Sequence, residues 1–342
     1  MVLKINRYAN WSDWPKDRTA IIAEVGINHG GDEDLAWEMI KSAHVNGADF
    51  VKLQSFVTKE FFHPSLSYFD STKSMELSID SQRDLFRKAK SDGIKLITTP
   101  FDFASVDMVE EFNPSVHKVA SMDNDNIPLI RYIAEKNRPV LISCGMADLG
   151  EIQKVVNVME EVGNDKLVLL HCTSDYPVEP ENLNLSMIDL LKNTFGYPIG
   201  LSDHSYGLYS SFVAASMGVQ VIEKHFTTDR SLQKKYPDAD HDISISSEEM
   251  KELRMFCESV SVMMGQAPRK FTENEKLGRL SMRRGIYAKQ DICIDEKLNL
   301  ENVVFLRPVV GMPAGCWDKI VGKKIVRNIS KLQPVYYSDI GL

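Results

Sequence analysis

The chain has 342 residues, 43% of them hydrophobic and 26% charged, with a formal net charge of −8 and a sequence pI near 5.6. This is the composition of an ordinary water-exposed globular protein, long enough for one barrel-sized domain and a small companion. The acidic balance argues against nucleic acid as the main ligand, so an anionic substrate has to be held by locally placed cations.

Residues 1–10 contain no apolar run of signal-peptide type, and no stretch approaches membrane-spanning length. Short, β-branched-rich runs then recur at 19–25, 50–54, 95–98, 116–119, 139–142, 167–170, 198–201 and 221–224, the pattern of buried parallel strands. Segments with helical spacing lie between them. In the first, Leu35, Met39, Ile40 and Ala43 form an apolar face that stops at Asn46 and Gly47. The stretch 57–80 is long for a strand-to-helix connection and rich in aromatics (Phe61, Phe62, Tyr68, Phe69), which suits a lid or an oligomer contact. The stretch 174–184, with Pro177 and Pro180, reads as a second mouth loop. The last helix opens on capping-box spacing at Ser246 and Glu249, and Met250, Leu253, Cys257, Val260 and Met264 share one face before Gly265. Eight such alternations predict an α/β fold of (β/α)8 TIM-barrel type. An open doubly wound sheet is the competing arrangement, although no GxGxxG follows the first strand.

The texture changes after Gly265. The expected boundaries are a catalytic barrel over 1–267, a polar and basic linker over 268–284, and a small domain over 285–342. Within that tail β-like runs are expected at 285–288, 303–306 and 320–321, with little core of their own. The tail is therefore expected to dock on its own barrel or on a second subunit. Five cysteines (Cys144, Cys172, Cys257, Cys293, Cys316) show no close pairs and no metal spacing, so a reduced chain, cytoplasmic and without membrane contact, is expected.

The ionisable and hydroxyl residues fall repeatedly at strand carboxyl ends, where a parallel barrel carries its active site. Strand alternation places Lys52 and Gln54 on one face of their strand, and likewise Ile22 and Glu24 on one face of theirs, so that both pairs converge if these faces point into the barrel. Lys52 and Lys118, with hydroxyls from Thr99, Ser121, Ser143 and Ser202, suit a phosphorylated carboxylate, whose charge is spread over two oxygen clusters. A lone strand-end lysine is more often a solvated surface residue; two at one mouth favour the anion site. His204 and His225 follow neighbouring strands and can share one divalent metal, whereas either alone reads as a structural histidine; His171 is a third candidate. Glu24 is the candidate acid/base or water-orienting carboxylate, with a structural salt bridge to Lys52 as the alternative. Glu223 shares the parity of His225 and is a candidate partner of the lysines or the metal. Residues 28–31 lack the Lys-Ser/Thr of a P-loop and read as a tight mouth turn.

The motifs Ala23-Glu24-Val25-Gly26-Ile27-Asn28-His29-Gly30-Gly31, Lys52-Leu53-Gln54-Ser55-Phe56, Thr99-Pro100-Phe101-Asp102, His171-Cys172-Thr173, Gly200-Leu201-Ser202-Asp203-His204 and Glu223-Lys224-His225-Phe226-Thr227 resemble the N-acetylneuraminate (sialic acid) synthase family. Pseudaminic, legionaminic and spore-coat sugar synthases share that scaffold. Arg283-Arg284-Gly285-Ile286-Tyr287-Ala288, Arg307-Pro308 and Gly322-Lys323-Lys324 resemble its antifreeze-like (SAF, β-clip) C-terminal domain. The resemblance implies condensation of phosphoenolpyruvate with the open-chain aldehyde of an N-acylated hexosamine, such as N-acetylmannosamine. The products would be phosphate, released by C–O cleavage, and a nine-carbon 2-keto sugar acid. It implies that Lys52, Thr99, Lys118, Ser121, Ser143, Ser174 and Ser202 hold phosphoenolpyruvate. It further implies that His204 and His225 bind Mn²⁺ (or Mg²⁺ or Co²⁺), and that Glu24 guides water to C2. Gln54, Asp123, Tyr176 and Asp240 would line the sugar site, with Arg307 reaching in from the partner of a domain-swapped homodimer. Three departures border that pocket: Ser174 for the usual Asn, Asp123 for the usual Glu, and Pro237-Asp238-Ala239 for a Gly-Pro before Asp240. A Schiff-base aldolase using Lys118 and a non-catalytic sugar-binding protein are the competing readings.

Overall fold

The computed structural model describes residues 14–341. It divides into two compact units, one ending at Met264 and the other starting at Gly265. The first alternates strand and helix: β1 (Ala20–Gly26), α1 (Glu33–Val45), β2 (Phe50–Ser55), the short α2 (Thr58–Phe61) and α3 (Phe69–Met75), α4 (Ile79–Ser91), β3 (Leu96–Pro100), α5 (Phe103–Glu110), β4 (His117–Val119), α6 (Ile127–Glu135), β5 (Val140–Ser143), α7 (Leu149–Val162), β6 (Leu167–Cys172), α8 (Met187–Phe195), β7 (Ile199–Asp203), α9 (Tyr209–Ser216), β8 (Val221–His225) and α10 (Ser247–Met264). The eight parallel strands run in the order β3-β2-β1-β8-β7-β6-β5-β4. β3 and β4, at the two ends of that order, lie against each other and bring the cylinder near closure. This is a TIM barrel.

Strand alternation builds two apolar layers. Ala20, Ile22, Phe50, Ile97, Leu141, Val168, Leu170 and Val221 fill the barrel interior, with Trp14 packed on Phe50 at 5.1 Å between ring centroids. The intervening residues, among them Ile21, Ala23, Val51, Ile142 and Ile222, pack against the helices. Gly200 is required in this interior: a Cβ there would meet Leu170 Cδ2 at 2.4 Å and Val221 Cγ1 at 2.5 Å. Several strands run one or two residues beyond their expected ends, so Cys172, Asp203 and His225 belong to strands. Ladder hydrogen bonds are made by the backbone and continue through polar residues.

α1 buries Met39, Ile40 and Ala43 and ends at Asn46. In α10 Ser246 and Glu249 exchange reciprocal cap bonds, and Met250, Leu253, Cys257 and Val260 are buried. Met264, expected on that face, is 68% exposed, because the helix has run past the barrel wall by then. The 57–80 excursion folds as α2 and α3.

The stretch expected as a linker carries α11 (Glu273–Met282), opened by a capping box of Thr272 and Glu275. The second unit continues with β9 (Gly285–Ala288) paired antiparallel to β10 (Val303–Leu306), then α12 (Trp317–Ile320). The run at 320–321, expected as β-like, ends that helix instead. The small unit also has its own apolar centre, contrary to expectation: Ile286, Leu298, Val303, Met312, Ile325, Ile329 and Val335 are all buried together. These residues are spread singly between turns, so no periodic run announces them. No helix of the described residues is long and apolar enough to cross a membrane.

Outside the barrel wall, Asp203 and Lys224 form an ion pair at 3.1 Å with both side chains fully buried. Asp203 also accepts from Ser205, Ser210 and Ser211. Removing one partner strands a buried charge, so Asp203→Ala is expected to cost about 3–5 kcal/mol. Asp203→Leu with Lys224→Met should cost much less. Denaturant melts of the three proteins check this, and equal losses in both variants would refute it.

Candidate active site

Parallel register assembles the mouth. Glu24 of β1 is level with Lys52 of β2 on one side and His225 of β8 on the other. Gln54 is level with Thr99, and Ser202 with Glu223. The parity that points Ile22, Phe50 and Val221 into the barrel therefore points Glu24, Lys52, Glu223 and His225 into the layer above them.

At the centre stand two carboxylates and two ammonium groups, each at most 5% exposed. Lys52 Nζ is 2.8 Å from Glu24 and 3.6 Å from Glu223, and donates to Thr99 Oγ1 at 2.9 Å. Lys118 Nζ is 3.8 Å from Glu223 and donates to Ser143 Oγ at 2.7 Å. Gln54 donates to the second oxygen of Glu24 at 3.0 Å. Burial pushes the Glu24 carboxyl up to about 7, with Lys52 opposing and the Glu223 charge adding. Burial works the same way on Glu223, yet Lys118 and Lys52 hold it below the ordinary range. Lys52 is raised by Glu223 and Glu24 against its burial, whereas burial lowers Lys118. The two lysines thus differ in how firmly they keep their protons.

A hydroxyl-lined recess adjoins Lys118. Gly145 N–H donates to Ser121 Oγ at 3.0 Å, and a Cβ on Gly145 would lie 2.3 Å from Ser174 Oγ and 2.7 Å from Ser121 Oγ. Only glycine leaves both hydroxyls in place.

On the opposite side the His204 and His225 rings stand 5.4 Å apart. His204 Nδ1 donates to Thr173 O at 2.9 Å, and Nε2 lies 3.1 Å from the Tyr176 hydroxyl; against burial, Cys172 and the Thr173 carbonyl raise its proton affinity. His225 is held well below its ordinary range by burial and by the charges of His204 and Lys52, so it is neutral. Its Nδ1 is buried without a hydrogen-bond partner, with Asp240 Oδ2 at 3.5 Å. With His204 Nε2 deprotonated, the two imidazoles would fit a first-row divalent ion. Among the described residues no three His, Cys, Asp or Glu side chains converge as a ready cage, so the other positions would fall to water and substrate.

One cavity of about 250 Å³ is lined by Glu24, Lys52, Gln54, Thr99, Lys118, Ser121, Ser143, Ser174, Tyr176, Ser202, His204 and His225, together with Glu223. Asp240 lies beside His225 but outside that lining. Asp123 lies outside it too, in the turn after β4, with Oδ1 accepting from Asn126 and Oδ2 buried without a partner. Arg307 is exposed in the second unit. His171 is not at the mouth: its ring bonds Leu183 O at 2.7 Å, and Cys172 takes the inward position on β6. Strand parity applied to β6 would have selected Cys172. Gly145, Met122 and Met146 also border the site and carried no chemical signal in the sequence.

A TIM barrel whose strand ends converge on a lysine- and hydroxyl-lined, imidazole-flanked chamber is an enzyme with its candidate reaction centre at the carboxyl face. The chain belongs to the NeuB family, which matches residues 39–269, and carries an SAF domain at 283–341. It is 33% identical over 327 residues to the N,N'-diacetyllegionaminic acid synthase of Campylobacter jejuni, covering 91% of this chain and 97% of that one. It is 31% identical to the pseudaminic acid synthase of the same organism, covering 90% and 93%. The crystal structure of N-acetylneuraminic acid (sialic acid) synthetase from Leptospira borgpetersenii in complex with citrate superposes with a TM-score of 0.71 at 33% identity, over 76% of this chain and 89% of that one.

Gly145→Ala is expected to weaken phosphoenolpyruvate binding about tenfold by displacing the Ser121 and Ser174 hydroxyls, with the fold intact. Calorimetric titration checks it, and an unchanged Kd would remove the recess from the anion site.

Proposed function

We propose that this enzyme condenses phosphoenolpyruvate with the open-chain aldehyde of an N-acylated hexosamine, giving a nine-carbon 2-keto sugar acid and phosphate. The observation that carries the reading is the buried Glu24–Lys52–Glu223–Lys118 group, set between serine and threonine hydroxyls on one side and two imidazoles on the other. The range of relatives supports the class of product.

Lys52 with Thr99 receives one oxygen cluster of phosphoenolpyruvate, and Lys118 with Ser121, Ser143 and Ser174 receives the other; Ser202 stands beside Glu223. The incoming anion competes for the Lys52 charge that now holds Glu24 ionised, and so raises the proton affinity of Glu24 when the site fills. Gln54, Tyr176 and Asp240 orient the acceptor sugar, whereas Asp123, outside the cavity lining, is left out of that set. His204 and His225 would hold a divalent ion such as Mn²⁺, Mg²⁺ or Co²⁺, which would supply Lewis-acid polarisation of the aldehyde oxygen. C3 of the enol attacks the aldehyde carbon; the carbonyl π pair passes to the aldehyde oxygen, which takes up a proton to become a hydroxyl, and C2 is left oxocarbenium-like. Water adds there as Glu24 takes its proton. The tetrahedral adduct collapses with C–O cleavage, and phosphate leaves. Arg307 of a partner copy completes the acceptor site in a domain-swapped homodimer, a reading that rests on the family resemblance.

Burial of Lys118 lowers its proton affinity, which favours a second reading, a Schiff-base aldolase. Borohydride trapping of a pyruvate adduct on Lys118, with activity surviving chelation, would establish that reading.

Phosphate release from phosphoenolpyruvate is expected to depend on an N-acylated hexosamine, to stop with EDTA and to return with Mn²⁺. His225→Ala should abolish it while leaving the melting temperature near that of the parent. Full turnover by metal-free His225→Ala would refute the metal role. Arg307→Ala should raise the KM for the sugar and leave that for phosphoenolpyruvate unchanged. Because burial raises Glu24 to about 7 in the empty site, kcat/KM should climb with pH through about 7 and level off above it, with the corresponding limb of kcat displaced to higher pH. Glu24→Gln should be slow and lack that limb, and a parallel limb in the variant would assign it elsewhere.

A further inference from the structure

We infer that Asn28 is a positioning residue that fixes Asp240 relative to Glu24; the inference rests on the proposed acceptor-side role of Asp240. The connection from β8 to α10, residues 226–246, carries Asp240 on a long loop whose regular structure is a short 3-10 turn, Arg230–Lys234. Bonds within the loop hold its shape: Gln233 Nε2 donates to Pro237 O at 2.8 Å and Ala239 O at 2.9 Å, and Thr227 Oγ1 meets His241 Nδ1 at 2.8 Å. These bonds shape the loop. Backbone bonds from Phe226 N to Glu24 O and from Ile245 N to His225 O, both at 2.8 Å, tie its ends to the barrel, and the Tyr236 ring lies against Gly30. The position of the segment around Asp240 is left to be set.

Asn28, in the turn after β1, sets that position. Its side chain is completely buried. Nδ2 donates to Phe226 O and to Ser244 Oγ, both at 2.9 Å, and Oδ1 accepts the Asp240 N–H at 2.8 Å. Ser244 Oγ donates in turn to Asp240 O at 2.6 Å, so both backbone groups of Asp240 are tied to one amide network. Both amide protons and the amide oxygen are used, and a smaller side chain would orphan buried partners at both ends of the loop. Glu24 and Asn28 ride on the same strand and turn. The amide therefore sets how far the Asp240 carboxylate, 3.5 Å from His225 Nδ1, stands from the water-guiding carboxylate. A displacement of about 1 Å in such a pair is enough to cost up to 10²-fold in rate.

The test is a double-mutant cycle of Asn28→Ala and Asp240→Ala in the full-length enzyme, with amide hydrogen exchange on the same proteins. Asn28→Ala is expected to raise the acceptor KM about tenfold or more, to leave phosphoenolpyruvate affinity within about twofold, and to add nothing in the Asp240→Ala background. Exchange across 236–244 should rise while the barrel strands stay protected. Ser244→Ala, which releases Asp240 O alone, should shift the acceptor KM in the same direction by less, and it decides the matter if Asn28→Ala fails to fold. Additive effects, or equal losses for both substrates, would overturn the inference. Unchanged exchange across 236–244 would overturn it independently of which acceptor the enzyme uses. A wild-type enzyme with no acceptor-dependent phosphate release, but with the exchange response intact, would instead sink the proposed reaction and leave the anchoring role standing.

Discussion

Two ammonium groups and two carboxylates buried together at the mouth of the barrel are the constraint around which the rest is arranged. Each alone would be intolerable there, since an isolated ion taken out of water costs several kcal/mol even after relaxation. Together Glu24, Lys52, Glu223 and Lys118 balance, and Thr99, Ser143 and Gln54 satisfy hydrogen-bonding capacity left over from the ion pairs. The balance is conditional. A dianionic or trianionic substrate entering among them, as proposed, would re-partition the same positive charge, and the carboxylates would then respond by taking up protons or by turning to the substrate. A chamber that is neutral when free and cation-rich toward a new anion needs no excess positive field from a chain whose net charge is −8.

Strand parity separates this group, which faces the cavity, from a second one that faces the helix layer. Glu223 and His225 point inward, whereas Lys224 between them points to the helix layer and is spent on Asp203. The same alternation divides Ser202 from Asp203. One strand end therefore serves both the reaction chamber and the joint that ties the barrel to α9. The two roles lie on opposite faces of the same few residues, and a register slip of one residue would exchange them. The bulge in β1 between Glu24 and Gly26 falls at the rim, where it ends regular pairing with β2 and begins the turn that carries Asn28.

The barrel was legible because its signals are local and repeated: an apolar run, a polar end, a helical stripe, eight times over. Most of the mouth was legible for the same reason, since a lysine or histidine at the end of such a run has one face to point to. Legibility failed where the signal was a shape. His171 looks as chemical as His204 in the sequence, but it falls on the wrong side of β6 and is satisfied by the Leu183 carbonyl. Gly145 matters for the side chain it lacks. In the small unit, isolated Ile, Leu and Val residues between turns form a buried centre that no period reveals.

The sequence by itself determined the strand–helix alternation, the inward parity of Glu24, Lys52, Glu223 and His225, and the supply of hydroxyls at strand ends. Each of these follows from properties of a few adjacent residues. Only the tertiary structure decided which groups meet: that Lys52 stands between Glu24 and Glu223, that Asp240 comes to His225 on a loop held by Asn28, and that Asp123 stays outside the cavity lining. Those contacts join residues from strands and loops far apart in the chain, and their distances are set by barrel closure and loop anchoring, which no local pattern encodes.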